Sequence, residues 1–277
     1  MLNEFQLINE LNVRYNLKNF VESAIIPSVD GIGYDYSMSY VRVGDTYRRT
    51  SKELNQCELS GNVIFKSYRD YQQFVNFIES SEELRVIYKP LDVEYYRSVD
   101  FAGVTGVKQR GSTTECTLKL SCKGLYYTED FRRYMIETIE NEAKFDLTFP
   151  FVFNDNSAVN VAINNIGHSE AEIMAEIYGY VENPEISLYV DGQLKSKVSF
   201  NIEVAENEVL FYSARDGEQA VYKVDAQGNK INAVGSLSLE NNNFYKIPKG
   251  NSSLKLTSND GILNKVIIKI FTTFKGV

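Results

Sequence analysis

Apolar and polar residues alternate with a period of two along most of the chain. Tyr34, Tyr36, Met38 and Tyr40 alternate with Asp35, Ser37 and Ser39, and Cys57, Leu59, Gly61, Val63 and Phe65 share a second face. Leu84, Val86 and Tyr88 form a third, and Cys116, Leu118, Leu120 and Cys122 a fourth. Successive strand residues point to opposite faces, so this spacing predicts half-buried β-strands. One segment departs from it. Tyr71, Phe74, Val75 and Ile78 recur at i, i+3, i+4 and i+7, which gives a single apolar helix stripe. Ser67 is placed to cap its start, Asp70 suits the positive end of the helix dipole, and Ser80 and Ser81 end it. The pattern predicts one helix over about 68–79, packed on a sheet. Phe131, Tyr134, Met135 and Ile139 also fit a helical stripe, but the strand patterns around them favour a strand there.

The second half is more uniformly β. Asn183-Pro184 opens a turn, and Asp191-Gly192 separates the alternating runs 186–190 and 194–204. An Asp-Gly pair in that setting is a strong hairpin signal, because both central residues must tolerate positive φ. Arg215-Asp216-Gly217, Gln227-Gly228-Asn229 and Asn259-Asp260-Gly261 are further turn candidates. Residues 266–271 are apolar on both faces, which suits a central strand. Frequent turns without helices between them predict antiparallel sheets stacked as a sandwich. The fold class expected is therefore mainly β: two antiparallel β-sandwich domains, the first carrying the packed helix.

Composition separates the halves. Residues 1–140 hold 10 of 11 arginines and 13 of 19 tyrosines, whereas residues 141–277 hold 17 asparagines and the single arginine Arg215. Arg and Tyr are enriched at protein–protein interfaces and Asn in exposed turns. A boundary near 141–148 follows, with an assembly domain over 1–144 and an exposed module over 145–277. Tyr95-Tyr96 and Tyr126-Tyr127 each put one ring on each side of a strand, leaving one ring of each pair for an interface. Arg48, Arg49, Tyr95, Tyr96 and Arg97 are the candidate interface anchors, chosen on composition and alternation.

Charge and residue inventory narrow the chemistry. A formal net charge of -8 and a pI near 5.0 argue against nucleic acid or anionic membranes as main partners. The N-terminal stretch lacks a basic region and a long apolar run, so it is not read as a secretory signal, and no window suits a membrane span. Three cysteines cannot all pair within one chain, and Cys116 and Cys122 lie about 20 Å apart along a strand, which argues for a reducing cytoplasm at synthesis. His168, the only histidine, sits among Gly and Asn and reads as a solvated turn residue rather than a catalytic one. Clustered zinc ligands, a G-x-S-x-G elbow and a phosphate-binding loop are all missing, and Gly31-Ile32-Gly33 does not lead into a helix. Glu203 with Glu206 and Glu82 with Glu83 read as solvated loop residues rather than a glycosidase pair, and Asp216-Gly217-Glu218 as a turn rather than a calcium loop. The expectation is a protein with no enzymatic activity, cofactor or metal.

The order of features along the chain resembles one family. Leu59-Ser60-Gly61-Asn62-Val63-Ile64-Phe65, running through Phe74-Val75-Asn76-Phe77-Ile78 into Leu84-Arg85-Val86-Ile87-Tyr88, resembles the strand–helix–strand of siphophage distal tail proteins. Leu118-Lys119-Leu120-Ser121-Cys122 leading to Tyr126-Tyr127 is similar to that family's strand before an aromatic pair. Asn164-Asn165-Ile166-Gly167-His168, then Ile177-Tyr178-Gly179-Tyr180-Val181-Glu182-Asn183-Pro184, and the closing Phe274-Lys275-Gly276-Val277 are similar to its later turns and terminal strand.

That resemblance implies a virion tail-tip protein made in the bacterial cytoplasm. It implies a homo-hexameric ring of N-terminal domains, joining the tail tube protein to the tail-associated hub protein and to receptor-binding or adhesion proteins. It implies a galectin-like second domain, with the last strand returning to the first. The alternative weighed is a carbohydrate-binding module for host cell-wall saccharide, against which the second half offers six tyrosines and no tryptophan.

Overall fold

The computed structural model describes residues 4–19, 21–135, 158–240, 243–259, 263 and 265–277. Helix α1, Tyr68–Glu79, forms where the periodicity predicts it. The Ser67 hydroxyl accepts from the Asp70 amide at 3.2 Å and donates to the Asp70 carboxylate at 2.6 Å, so the cap is reciprocal. At the other end the Ser80 and Ser81 hydroxyls both donate to the Phe77 carbonyl. Phe74 and Ile78 are buried; the Phe74 ring packs 5.3 Å from Phe65 and 5.2 Å from Tyr15.

The chain divides into two compact units, Met1–Thr128 with Phe274–Val277, and Glu129–Thr273. The boundary expected near 141–148 lies outside the described residues.

In the first unit, strands β1 (Glu4–Asn9), β2 (Arg14–Asn16), β3 (Lys18–Asn19), β4 (Ala24–Ile25), β5 (Tyr36–Val43), β6 (Thr46–Leu54) and β7 (Glu58–Phe65) precede the helix. β8 (Leu84–Lys89), β9 (Tyr95–Arg110), β10 (Thr113–Cys122) and the start of β11 (Tyr126–Met135) follow it. β9 serves three neighbours along its length: its first residues pair with β8 and, at Tyr96, with β11, and its run from Val99 to Arg110 pairs with β10. Two register shifts against β10 and the positive φ of Gly103 and Gly106 let so long a strand bend. β10 pairs on its other edge with β7, and their inward faces alternate as the sequence predicts: Leu59, Val63 and Phe65 opposite Leu120, Cys116 and Thr114. Segment 26–33 crosses β7, bridging at Asp30 and Ser60. It fits because Gly61 has no Cβ, which would meet the Ile26 side chain at 2.5 Å and the Ser28 carbonyl at 2.8 Å. Met135 ends a strand, not a helix; Ile139 lies outside the described residues.

The second unit stacks two sheets around one core. One has the order β20 (Lys230–Asn232), β19 (Ala220–Val224), β18 (Val209–Ser213), β13 (Glu172–Tyr178), β22 (Lys265–Phe274). The other runs β12 (Ala158–Asn165), β21 (Gly250–Thr257), β15 (Glu185–Val190), β16 (Gln193–Ser199), and a short pair joins β14 (Val181–Glu182) to β17 (Glu203–Val204). Ile173, Ala175, Val266 and Ile268 of the first sheet pack with Val161, Ile186, Leu188, Leu254 and Leu256 of the second. The Asp-Gly hairpin forms as read: Val190 pairs with Gln193, and Asp191 and Gly192 both take positive φ, 51° and 77°. β22 buries residues on both faces and pairs with β13 on one edge. The fold is thus mainly β, with antiparallel sheets and, among the described residues, one α-helix.

Candidate functional site

The most exposed element of the first unit is the hairpin β5–β6. Among the described residues its two strands pair only with each other, through eight registered positions from Tyr36↔Leu54 to Val43↔Thr46. A two-residue turn, Gly44-Asp45, closes it, with Gly44 at φ 60° as a first central residue of positive φ requires. Every residue from 41 to 50 is exposed. Cross-strand register sorts their side chains. Tyr40 faces Arg49 and Arg42 faces Tyr47, so one side carries two tyrosines and two arginines. Val41 faces Arg48 and Val43 faces Thr46, so the other side is part apolar. The exposures of Tyr47 (71%) and Val43 (57%) are large for such residues. Arg42 folds back along the tip, donating to the Gly44 carbonyl at 2.8 Å and pairing with Asp45, which leaves Arg48 and Arg49 as cations on opposite faces.

The root of the hairpin is aromatic and cationic. Tyr34 and Tyr36 meet edge to face at 5.7 Å, and the Lys52 ammonium lies 3.9 Å over the Tyr36 ring. Lys275, from the chain's end, donates to the Tyr36 hydroxyl at 2.7 Å, a bond that holds this phenol's pKa below its ordinary value. Beside the root opens a cavity of about 330 Å³, lined by Tyr34, Gln56, Cys57, Arg97, Cys122 and Lys275 among others.

The remaining candidate anchors sit differently. Arg97 is only 3% exposed: its Nε donates to the Gly124 carbonyl at 2.8 Å and its guanidinium lies 4.6 Å over the Tyr126 ring. Its guanidinium therefore serves the fold of this unit. Tyr95 is half-buried against Phe274, and Tyr96 is half-buried, stacked on Tyr127 at 5.8 Å and donating to Glu94 at 2.7 Å. Tyr126 and Tyr127 are both buried, at 0% and 4%, so neither ring of that pair is left over for an interface. Sequence reasoning missed the tip residues Tyr40 and Tyr47. Their signal was present in the alternation around Gly44-Asp45, a two-residue turn between runs of Tyr, Val and Arg.

The residues weighed for catalysis are scattered. His168 is an exposed turn residue whose amide donates to the Thr273 carbonyl, in a turn that Asn165 holds by donating to Ser169, Ile247 and Pro248 carbonyls. Glu82, Glu83, Glu203 and Glu206 are exposed. Asp216 pairs with Lys246 and Glu218 with Arg215, so both turn carboxylates are engaged by cations. Among the described residues no group of three or more His, Cys, Asp or Glu could hold a metal ion, and no helix is long and apolar enough to cross a membrane. Among the six tyrosines of residues 141–277, Tyr212 and Tyr245 are buried and Tyr180, at 38%, is the most exposed.

Residues 4–123 match the family model of the distal tail protein, N-terminal domain. No curated protein matches its sequence. Among solved structures, a chain of the phage P2 baseplate in its activated conformation with Ca is similar over its whole length: 13% identity, TM-score 0.70, 100% of both chains covered. The same baseplate with Sr gives the same values. The SPP1 Dit (gp 19.1) protein, described as a paradigm of the hub adsorption apparatus in Gram-positive infecting phages, is similar at TM-score 0.57 and 13% identity, over 96% of this chain and 98% of that one. At 13% identity these likenesses show the fold: the chain shares it with the phage P2 baseplate chain and with SPP1 Dit.

Proposed function

We propose that the protein forms a homo-hexameric ring at the tail tip, joining the tail tube to the tail-associated hub and the host-adhesion proteins. The first domain, 1–144, builds the ring, and the second, 145–277, offers attachment surface to other tail proteins. The observation that carries this reading is the β5–β6 hairpin. A two-stranded hairpin standing alone is marginal in water, and its open edges invite other chains. Here such a hairpin exposes Tyr40, Val41, Val43 and Tyr47 together with Arg48 and Arg49. A closed ring needs a heterologous contact, one surface of each subunit against a different surface of the next, and a projecting hairpin supplies the first of these. Baseplate membership of the P2 chain and the hub role stated for SPP1 Dit support the same reading.

The test is the solution mass of the full-length chain by light scattering, alone and with a tail-tube protein. A mass near six times 31.6 kDa that falls when Arg48 and Arg49 are both changed to Glu is expected. An oligomer indifferent to that change, with the fold intact by circular dichroism, would remove the hairpin from the ring contact.

A further inference from the structure

In the β7–β10 ladder Leu120 lies opposite Leu59 and Ser121 opposite Glu58. One step further in the same register, Cys122 faces Cys57, and the Cys122 amide donates to the Cys57 carbonyl at 3.0 Å. Residues opposed in such a hydrogen-bonded pair have Cα atoms about 5.5 Å apart. That is inside the roughly 4.4–6.8 Å that disulfides span. Opposed side chains leave the ladder on one face, here the face of the first unit's core, where Cys122 is buried and Cys57 half-buried. Both line the same cavity.

The pair also has room to close. Opposed Cβ atoms stand about 4.5–5.5 Å apart, and a disulfide needs about 3.5–4.5 Å. The ladder ends at this point: the Gln56 side chain, not a backbone amide of β7, donates to the Cys122 carbonyl at 3.1 Å. Cys57 thus lies in the connection before β7 and can move by the distance required. Cys116, buried six residues away on the same strand, is far out of reach.

We propose that Cys57 and Cys122 form a dithiol that closes to an intramolecular disulfide on meeting a small-molecule disulfide such as oxidised glutathione. The Cys57 thiolate attacks one sulfur of the oxidant, its S–S bond breaks, and one glutathione thiolate leaves. The Cys122 thiolate then attacks the Cys57 sulfur of the mixed disulfide, the second glutathione thiolate leaves, and the Cys57–Cys122 bond forms. Two protein thiols are oxidised by two electrons in all, one oxidised glutathione is reduced to two thiols, and the two thiol protons pass to them. The cavity's lining is cationic, with Arg97, Lys123 and Lys275 and no carboxylate among the described residues, which suits an anionic oxidant, although Lys123 is paired with Asp100, Lys275 donates to the Tyr36 hydroxyl and Arg97 is held by Gly124 and Tyr126. Burial pushes the Cys122 thiol up to about 11, which fits it to the second, slower attack. A cross-link between 57 and 122 encloses α1 and four strands of the first unit, β7 to β10, so it restricts the unfolded chain and raises thermal stability once the protein leaves a reducing compartment.

The experiment treats the purified full-length protein with oxidised glutathione. Free thiols counted in denaturant should fall from three to one, intact mass should fall by about 2 Da, and Tm should rise. Cys116→Ser should still close, and Cys57→Ser should not. Cys122→Ser should stop at a glutathione adduct on Cys57. Three thiols surviving in the wild type, a wild-type adduct that never releases its glutathione, or a disulfide mapped to Cys116 would each overturn the proposal.

Discussion

The Lys275 ammonium donates to the Tyr36 hydroxyl at 2.7 Å across a sequence separation of 239 residues. The last residues of the chain thereby hold the root of the β5–β6 hairpin, with Lys52 over the same ring. Because Lys275 stabilises the phenolate, Tyr36 should ionise below the ordinary tyrosine range. The difference between ultraviolet titrations of wild type and Tyr36→Phe isolates that phenol. In a Lys275→Met background the same difference should move to higher pH; superimposable curves would show that Lys275 does not act on Tyr36.

Arg48 and Arg49 lie on opposite faces of the hairpin, so single reversals distinguish its two sides. Tyr and Arg are the residues that most often anchor interfaces. The Tyr40–Tyr47 side is therefore the expected contact, and Arg49→Glu should weaken self-association by about tenfold or more. Arg48→Glu should weaken it less. Light scattering across a dilution series reads both, and an inverse order would assign the contact to the Val41 side.

Gly31 and Gly33 look alike in sequence and differ in the fold. Gly31 has φ +84°, and a Cβ there would lie 1.9 Å from the Glu58 carbonyl oxygen, whereas a Cβ at Gly33 meets nothing within 4 Å. Gly31→Ala should cost about 2 kcal/mol or more, through positive φ and the backbone clash. Gly33→Ala should change stability by less than about 0.5 kcal/mol. Urea unfolding of the two variants side by side checks this, and equal midpoints would contradict it.

Burial pushes the phenols of Tyr15 and Tyr126 up to about 12. In the unfolded chain they titrate near 10. Above that pH the unfolded state has released protons that the folded state still holds, so the folded state binds more protons and stability falls as pH rises. The stabilisation is whole below about pH 10 and is lost as pH climbs through about 12. Thermal melts should hold steady around pH 8–9 and drop steeply beyond about 10.5; a flat profile to about 11.5 would show that these rings are open to water.

Much of this was legible in the sequence because it is local. Helix α1 needed only a stripe at helical spacing, Ser67 before it and two serines after it, all within a few residues of one another. The Asp191-Gly192 hairpin likewise rests on two residues that accept positive φ between alternating strands. The period-two pattern of β7 and β10 correctly grouped Leu59 with Val63 and Cys116 with Leu120.

Alternation says which residues share a face; it does not say which face is covered. Arg97 shares a face with Val99, and its alternation with Tyr96 made it look like a surface anchor. In the fold that side chain is covered, 3% exposed, with its guanidinium turned to Gly124 and Tyr126. The same limit applies to Tyr126 and Tyr127, both buried because both sides of their strand are covered. Contacts between residues far apart in the chain, Lys275 with Tyr36 and Cys57 opposite Cys122, leave no periodic trace at all. By itself the sequence determined the main elements, their alternating faces and the acidic balance of the chain, since these depend on local spacing and composition. The tertiary structure decided which of the arginines and tyrosines remain at the surface, because burial depends on which strands become neighbours.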